Sequence, residues 1–467
     1  MGLKRIPLTY RRNLAASLGR FTARPWFVFL DSCRDACSGG RYDVIACDPL
    51  ATVVTVGDTT TVTTATGSTR SAADPFAVLE RTLGTCLPPT GETGFFTGGA
   101  LGYFAYDLGR RIEQLPSLAA RDIDMPEMAV GVYGWAIVVD HDSARAELVV
   151  HPAGDCDEDM VLRIWEAQPP LTPAAFGSRF EVTSPAGPEL SFEQYAASWR
   201  RIKGYLREGD VYQVNLTQRF SASVSGDPWD AYLRLRTINP APYSAYLALP
   251  TGVVLSSSPE RFIGIDAGVV ETRPIKGTLP RGRTPDEDRR LAGELAQSPK
   301  DRAENVMIVD LLRNDLGKHS EIGSVEVPTL FAVESFAKVH HLVSTVRARL
   351  AAGISPLTVL RDCFPGGSIT GAPKLRAMEI IEELEPQRRS VYCGAIGYLS
   401  ADGRMDTNIT IRTLLCHEGR MYCWAGGGIV MDSGLEAEYA ESLAKASAML
   451  EVFARAEPAH VGYQDRR

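Results

Sequence analysis

A glutamate and a lysine bracket one expected hairpin. Ser258-Pro-Glu-Arg-Phe262 opens it and Arg273-Pro-Ile-Lys-Gly-Thr278 closes it. Arg261 to Ile265 and Val269 to Pro274 are β-branched runs on either side of the turn signal Asp266-Ala267-Gly268. With a three-residue loop, Glu260 stands opposite Pro274. Lys276, two positions on, then shares its face. A two-residue loop puts the two on opposite faces. A carboxyl and an amine at the open end of one hairpin suit a proton donor and a nucleophile. They equally suit a cross-strand ion pair.

Further carboxylates lie on two expected helices. Glu304, Ile308 and Leu311 share one face of a helix from Lys300 to Leu316, so Glu304 continues an apolar stripe and points inward. A carboxylate there must be paired, hydrogen-bonded or on a metal. On a last helix, Leu435 to Ala456, Glu438, Glu441 and Lys445 share a face beside the apolar Tyr439, Leu443, Ala446 and Leu450. Oxygen ligands from two helices suit Mg²⁺. The alternative is a solvated face with a Glu441–Lys445 pair.

Three stretches suit anions. Gly366-Gly-Ser-Ile-Thr-Gly-Ala-Pro-Lys374 precedes a helix beginning near Pro373, so backbone N–H groups at its start are open to a carboxylate, or the stretch is a tight turn. It is not a phosphate-binding P-loop, because Ala372-Pro373 stands where Gly-Lys-Ser/Thr is needed. Ala425-Gly-Gly-Gly-Ile429 is a second nest or a close-packed corner. Arg412, in an expected strand from Asp406 to Cys416, suits a second carboxylate or lies solvated on an open sheet face. His340 and His341 are adjacent in a strand, so only one ring reaches any given site.

These residues need a scaffold, and the chain is long enough to build one. It has 467 residues, 45% apolar and 23% charged, as in a globular enzyme. A net charge of −8 without a Lys/Arg run argues against nucleic acid. No apolar stretch is long enough for a membrane span, and no signal peptide is legible, so a cytoplasmic location is expected. The nine cysteines are irregularly spaced and read as free thiols. Strands dominate both halves, with helices in blocks, which favours a layered α+β architecture. A Pro/Ala-rich stretch at 168–187 divides a first region, 1–167, from a second, 188–456. The second opens on a helix capped by Ser191 and Gln194, and a polar tail covers 457–467.

Taken in order, Ser258-Pro-Glu-Arg-Phe, Asp301-Arg-Ala-Glu-Asn, Gly367-Ser-Ile-Thr-Gly-Ala-Pro-Lys374 and Ile409-Thr-Ile-Arg-Thr resemble the chorismate-utilising enzymes. That family includes anthranilate synthase component I, isochorismate synthase and salicylate synthase. Pro-Ile-Lys276-Gly-Thr is similar to the branch that makes aminodeoxychorismate, whereas anthranilate synthases carry alanine at that position. Gln213 stands where the water-adding siblings carry a lysine base.

The resemblance implies a sandwich of two mainly antiparallel sheets between outer helices, with the two halves of the chain intermingled. It implies amination of chorismate to 4-amino-4-deoxychorismate on the route to para-aminobenzoate and folate. Ammonia would come from a glutamine amidotransferase subunit, since no Gly-x-Cys-x-Gly glutaminase context is present. By the same resemblance Glu304, Glu438 and Glu441 hold Mg²⁺, assisted by Thr370, Gly371 and Ala372 at the ring carboxylate. Arg412, Gly426, Gly427 and Lys445, with Tyr398 beside them, hold the pyruvyl carboxylate. Glu260, helped by His341, protonates the leaving hydroxyl, and Lys276 forms a covalent adduct. Leu30, Ser32, Arg41 and Tyr42 match a tryptophan-binding pocket. The competing readings are anthranilate synthase component I and a non-catalytic amino-acid-binding regulator of the same fold.

Overall fold

Runs of β-branched and aromatic residues become strands of two large antiparallel sheets, of thirteen and twelve strands, in a computed structural model that describes residues 2–37, 40–167, 179–336 and 339–453. Both sheets draw on both halves of the chain. In the larger sheet Tyr246 pairs with Phe29, and in the smaller Gly397 pairs with Gly102. The stretch at 168–187 therefore does not separate the sheets. Part of it, 168–178, and the tail at 457–467 lie outside the described residues. Glu181–Val182 and Gly187–Pro188 pair with the long strand Gln213–Ser225.

Period-two alternation sorts the side chains of the larger sheet between two cores. Val28 joins the core between the sheets, with Val53, Leu101, Val130 and Ile263. Its neighbours Phe27 and Phe29 face outward onto the helices Pro228–Ile238 and Leu435–Val452, with Trp229, Tyr232 and Met449. Full burial of each such phenylalanine contributes ~1.5–3 kcal/mol. The helix Phe192–Glu208 starts in the expected capping box, formed by Ser191 and Gln194. The helices Pro285–Gln297 and Pro299–Gly317 begin at Thr284 and Ser298 caps followed by proline, the favoured first-turn residue. Among the described residues no helix is long and apolar enough to cross a membrane.

Two strand-to-strand links set the position of the chemistry. Gly252–Ser258 belongs to the larger sheet and Arg261–Asp266 to the smaller, so the chain changes sheets at Pro259-Glu260. It changes back at 409–412. The expected single strand from Asp406 to Cys416 is in fact two, Met405–Asn408 in the smaller sheet and Thr413–His417 in the larger. Periodicity cannot register such a switch, because both pieces alternate normally. The links run side by side. Ile409 N–H donates to Glu260 O at 3.0 Å, Ser258 Oγ to Ile409 O at 2.6 Å and Ser257 N–H to Arg412 O at 3.1 Å.

The opening hairpin also differs from the three-residue expectation. Asp266 pairs with Val269, leaving the two-residue loop Ala267-Gly268, both with positive φ (48° and 76°), as a tight hairpin turn requires. Simple alternation would then separate Glu260 from Lys276. They nevertheless come within electrostatic reach of each other, because neither belongs to an unbroken ladder. Glu260 lies in the sheet-to-sheet link. The strand Val269–Thr272 stops before Arg273-Pro274, and Ile275–Pro280 resumes with a register shift between Ile275 and Thr278. Gly277, at φ 84°, occupies that shift. The strand Ala395–Ser400 begins after a turn at 391–393.

Candidate active site

Glu260 is 5% exposed, in the first of the two links. Burial raises its carboxyl above the usual range, against the opposing pull of Lys276, the Ser368 hydroxyl and the Ile275 N–H. That favours a protonated carboxyl, as a proton donor needs. Arg412 holds φ 50°, left-handed backbone that is costly for a residue with a Cβ, by ~1–2 kcal/mol. Burial lowers its affinity for its proton and Glu260 opposes this, yet no carboxylate forms an ion pair with it among the described residues. A desolvated guanidinium without an anion is a ready carboxylate site.

Lys276 lies half-buried, and its Nζ donates to Ser368 O at 3.1 Å. Asn215 Nδ2 donates to the same carbonyl at 3.0 Å. Burial lowers the lysine's pKa, outweighing Glu304 and Glu260, which raise it, and Lys445 adds to the lowering. The result is an amine closer to its neutral, nucleophilic form.

Glu304 and Glu438 converge from different helices, bridged by Lys300 Nζ at 3.9 and 3.5 Å. Burial raises the Glu304 carboxyl, against Lys276 and Lys300, and its Oε1 is buried without a hydrogen-bond partner. Ser433 Oγ donates to Glu438 Oε1 at 2.6 Å. Burial would raise Glu441, but Lys445, at 2.7 Å, together with Lys300 and Lys276, holds it below its ordinary value. Lys445 also donates to Gly426 O at 3.0 Å. A Cβ on Gly427 would stand 3.1 Å from Glu438 Oε2 and 3.5 Å from Glu441 Oε1, so this glycine keeps the backbone close to the carboxylates. Among the described residues no three His, Cys, Asp or Glu side chains already stand at metal-ligand spacing. The all-oxygen donor set and the orphaned Glu304 oxygen nevertheless fit a hard cation that displaces Lys300. Lys300 was not among the expected site residues, although its place four before Glu304 on a helix is a legible signal.

His341 lies within electrostatic reach of Arg412, and His340 faces the opposite side of the strand, where it meets Asp288 at 2.9 Å. Burial, with the Arg412 charge beside it, pushes the His341 imidazole down to about 3, and Thr278 Oγ1 lies 2.8 Å from its Nδ1. It is therefore a neutral hydrogen-bonding group near neutral pH.

The glycine-rich loop differs in detail from the helix-start expectation. Pro373 caps the helix Lys374–Leu384 from outside. Gly371–Ala372 is a short strand against Gln213–Val214, where Asn215 N–H donates to Thr370 O at 2.8 Å. Lys374 is tied to the buried Asp315 at 2.8 Å.

Tyr398 is a correction. Its ring packs on Phe95 and Phe96 and lines a cavity of about 670 Å³ with Leu30, Ser32, Arg41 and Tyr42, a cavity that Arg412 does not line. The tyrosine beside the second link is Tyr392, stacked on Trp424, and the N–H of the next residue, Cys393, donates to Thr410 O.

The model of the chorismate binding enzyme family matches residues 31–451. The chain is similar to aminodeoxychorismate synthase component 1 of Klebsiella aerogenes, 50% identical over 432 residues, 92% of this chain and 94% of that one. It is similar to the protein of the same name from Escherichia coli (strain K12), 48% identical over 448 residues, 95% and 97% of the two chains. Among solved structures, anthranilate synthase component I from Streptococcus pneumoniae TIGR4 superposes with a TM-score of 0.79 at 32% identity, covering 88% of this chain and 93% of that one. Two antiparallel sheets joined by links that carry acid and guanidinium groups, together with the family match, define an enzyme of the chorismate-binding class. The chain belongs to the chorismate-binding enzyme family.

Proposed function

We propose that this enzyme aminates chorismate at C4 with ammonia, giving 4-amino-4-deoxychorismate for para-aminobenzoate and folate synthesis. The observation that carries the reading is that Lys276 and Glu260 lie within electrostatic reach of each other, with burial lowering the amine's pKa and raising the carboxyl's. The relatives named aminodeoxychorismate synthase component 1 at 48–50% identity support it. Arg412, with Lys445, Gly426 and Gly427, anchors the pyruvyl carboxylate. Glu304, Glu438 and Glu441 would hold Mg²⁺, which when bound supplies positive charge to the ring carboxylate. The loop at Thr370, Gly371 and Ala372 would assist at that carboxylate.

Glu260 gives its proton to the C4 hydroxyl, which leaves as water. The neutral Lys276 amine forms a C–N bond at C2 as the ring double bonds shift toward C4. Ammonia then attacks C4, the double bonds shift back, and the C2–N bond breaks to return the lysine. His341, neutral, orients the departing hydroxyl by hydrogen bonding. Ammonia arrives from a glutamine amidotransferase subunit, and the work is done in the cytoplasm. Leu30, Ser32, Arg41 and Tyr42 form a tryptophan-type pocket in the large cavity. The test is product identity with chorismate and Mg²⁺. Ammonium should yield 4-amino-4-deoxychorismate and glutamine nothing, whereas anthranilate as the main product, or glutamine use by the pure chain, would refute the reading.

A further inference from the structure

Ser368, whose carbonyl receives both Lys276 and Asn215, lies on a loop with only one short helical turn, Gly367–Ile369. That loop is fastened from behind by a buried ion pair. Arg389 is 1% exposed. Its Nε and Nη2 donate to Glu385 Oε2 and Oε1 at 2.8 and 2.7 Å. Its Nη1 donates to Ile369 O at 2.9 Å and its Nη2 to Asn215 O at 2.9 Å. Glu385 Oε1 also accepts the N–H and Oγ1 of Thr217 at 2.9 and 2.8 Å. One planar guanidinium thus joins the residue after Ser368 to the strand that carries Asn215.

Desolvating such a pair offsets most of the attraction between its charges, so its net contribution to stability is small. What it supplies is geometry. The two points it fixes, the Ile369 and Asn215 carbonyls, lie one residue from Ser368 and on Asn215 itself. A shift of ~1 Å in a group that places a nucleophile can cost on the order of 100-fold in rate.

We propose that Arg389 and Glu385 are positioning residues for Lys276, acting through the Ser368 carbonyl. The proposal rests on the reading of Lys276 as the attacking amine. Lysine cannot replace Arg389, because an ammonium lacks the planar fork that reaches a carboxylate and two carbonyls together.

The test is a double-mutant cycle of Arg389→Lys and Lys276→Ala, with kcat, KM for chorismate and melting temperature read for each protein at saturating ammonium and Mg²⁺. Arg389→Lys should lower kcat by about tenfold or more while KM for chorismate stays within about twofold, since the carboxylate anchors are elsewhere. In the Lys276→Ala background it should change the residual kcat by less than about twofold, because the group it positions is gone. Equal fold losses in both backgrounds would assign the pair a general structural role and overturn the proposal. A Lys276→Ala enzyme that turns over at the wild-type rate would overturn the lysine reading itself, and the proposal with it. If Arg389→Lys does not fold, Glu385→Gln, which keeps the side-chain shape, is taken through the same cycle with the same two outcomes.

Discussion

Lys276 and Glu260 push each other toward the charged state, yet burial moves both the other way. Two groups with pKa values drawn toward neutrality from opposite sides are suited to nucleophile and acid at one pH. Glu304 is the third residue whose environment asks for a partner. Its Oε1 is buried without a hydrogen-bond partner, and its counter-charges Lys276 and Lys300 are shared with Glu441. Glu304→Gln keeps the shape and removes the charge, so the fold should survive with a similar melting temperature. Turnover should fall by orders of magnitude, and the Mg²⁺ concentration for half-maximal activity should rise. Full activity with an unchanged Mg²⁺ requirement would remove Glu304 from the ligand set.

At the scale of elements, the site is made where strands break. Glu260 and Arg412 sit in paired links between sheets, and Lys276 precedes a register shift at Gly277. The motif residues were legible because acid, amine, guanidinium and glycine types each announce their chemistry locally. The links were not, since alternation before and after a sheet change looks continuous. The hairpin shows this most clearly: the loop has two residues, which by alternation should part Glu260 from Lys276, and the broken ladder brings them within electrostatic reach. Tyr398 was placed beside the carboxylate anchors by the resemblance alone, whereas its ring packs on Phe95 and Phe96 and lines the other cavity. Lys300 was legible as a helical neighbour of Glu304 but needed Glu438, 134 positions further on, to show its bridging role. Gly277 offers a test at this scale. Its φ of 84° disfavours a Cβ, which would also meet Asp301 and Leu295 at 2.9 Å. Gly277→Ala should cost about 1–2 kcal/mol of stability, and the displaced Lys276 should lower kcat more than that loss of folded enzyme explains. Unchanged kcat per folded molecule would show that the shift does not place the lysine.

Across the whole molecule, Glu260, Lys276 and Arg412 all come from the second half of the chain, while the separate cavity at Leu30, Ser32, Arg41 and Tyr42 is lined by both halves, with Tyr398 and Asp406 among its walls. The carboxylate anchors and the reactive pair come from different elements, so removing the amine should leave substrate binding in place. In the proposed mechanism, Lys276 is the residue on which the choice of C4 amination over the anthranilate reaction turns. The most direct test is the mass of the intact enzyme after incubation with chorismate and Mg²⁺ without ammonia, followed by peptide mapping. A mass increase of one chorismate less one water, mapped to Lys276 and absent from Lys276→Ala, is the predicted result. A wild-type enzyme that gains no mass while Lys276→Ala makes 4-amino-4-deoxychorismate at the wild-type rate would contradict it.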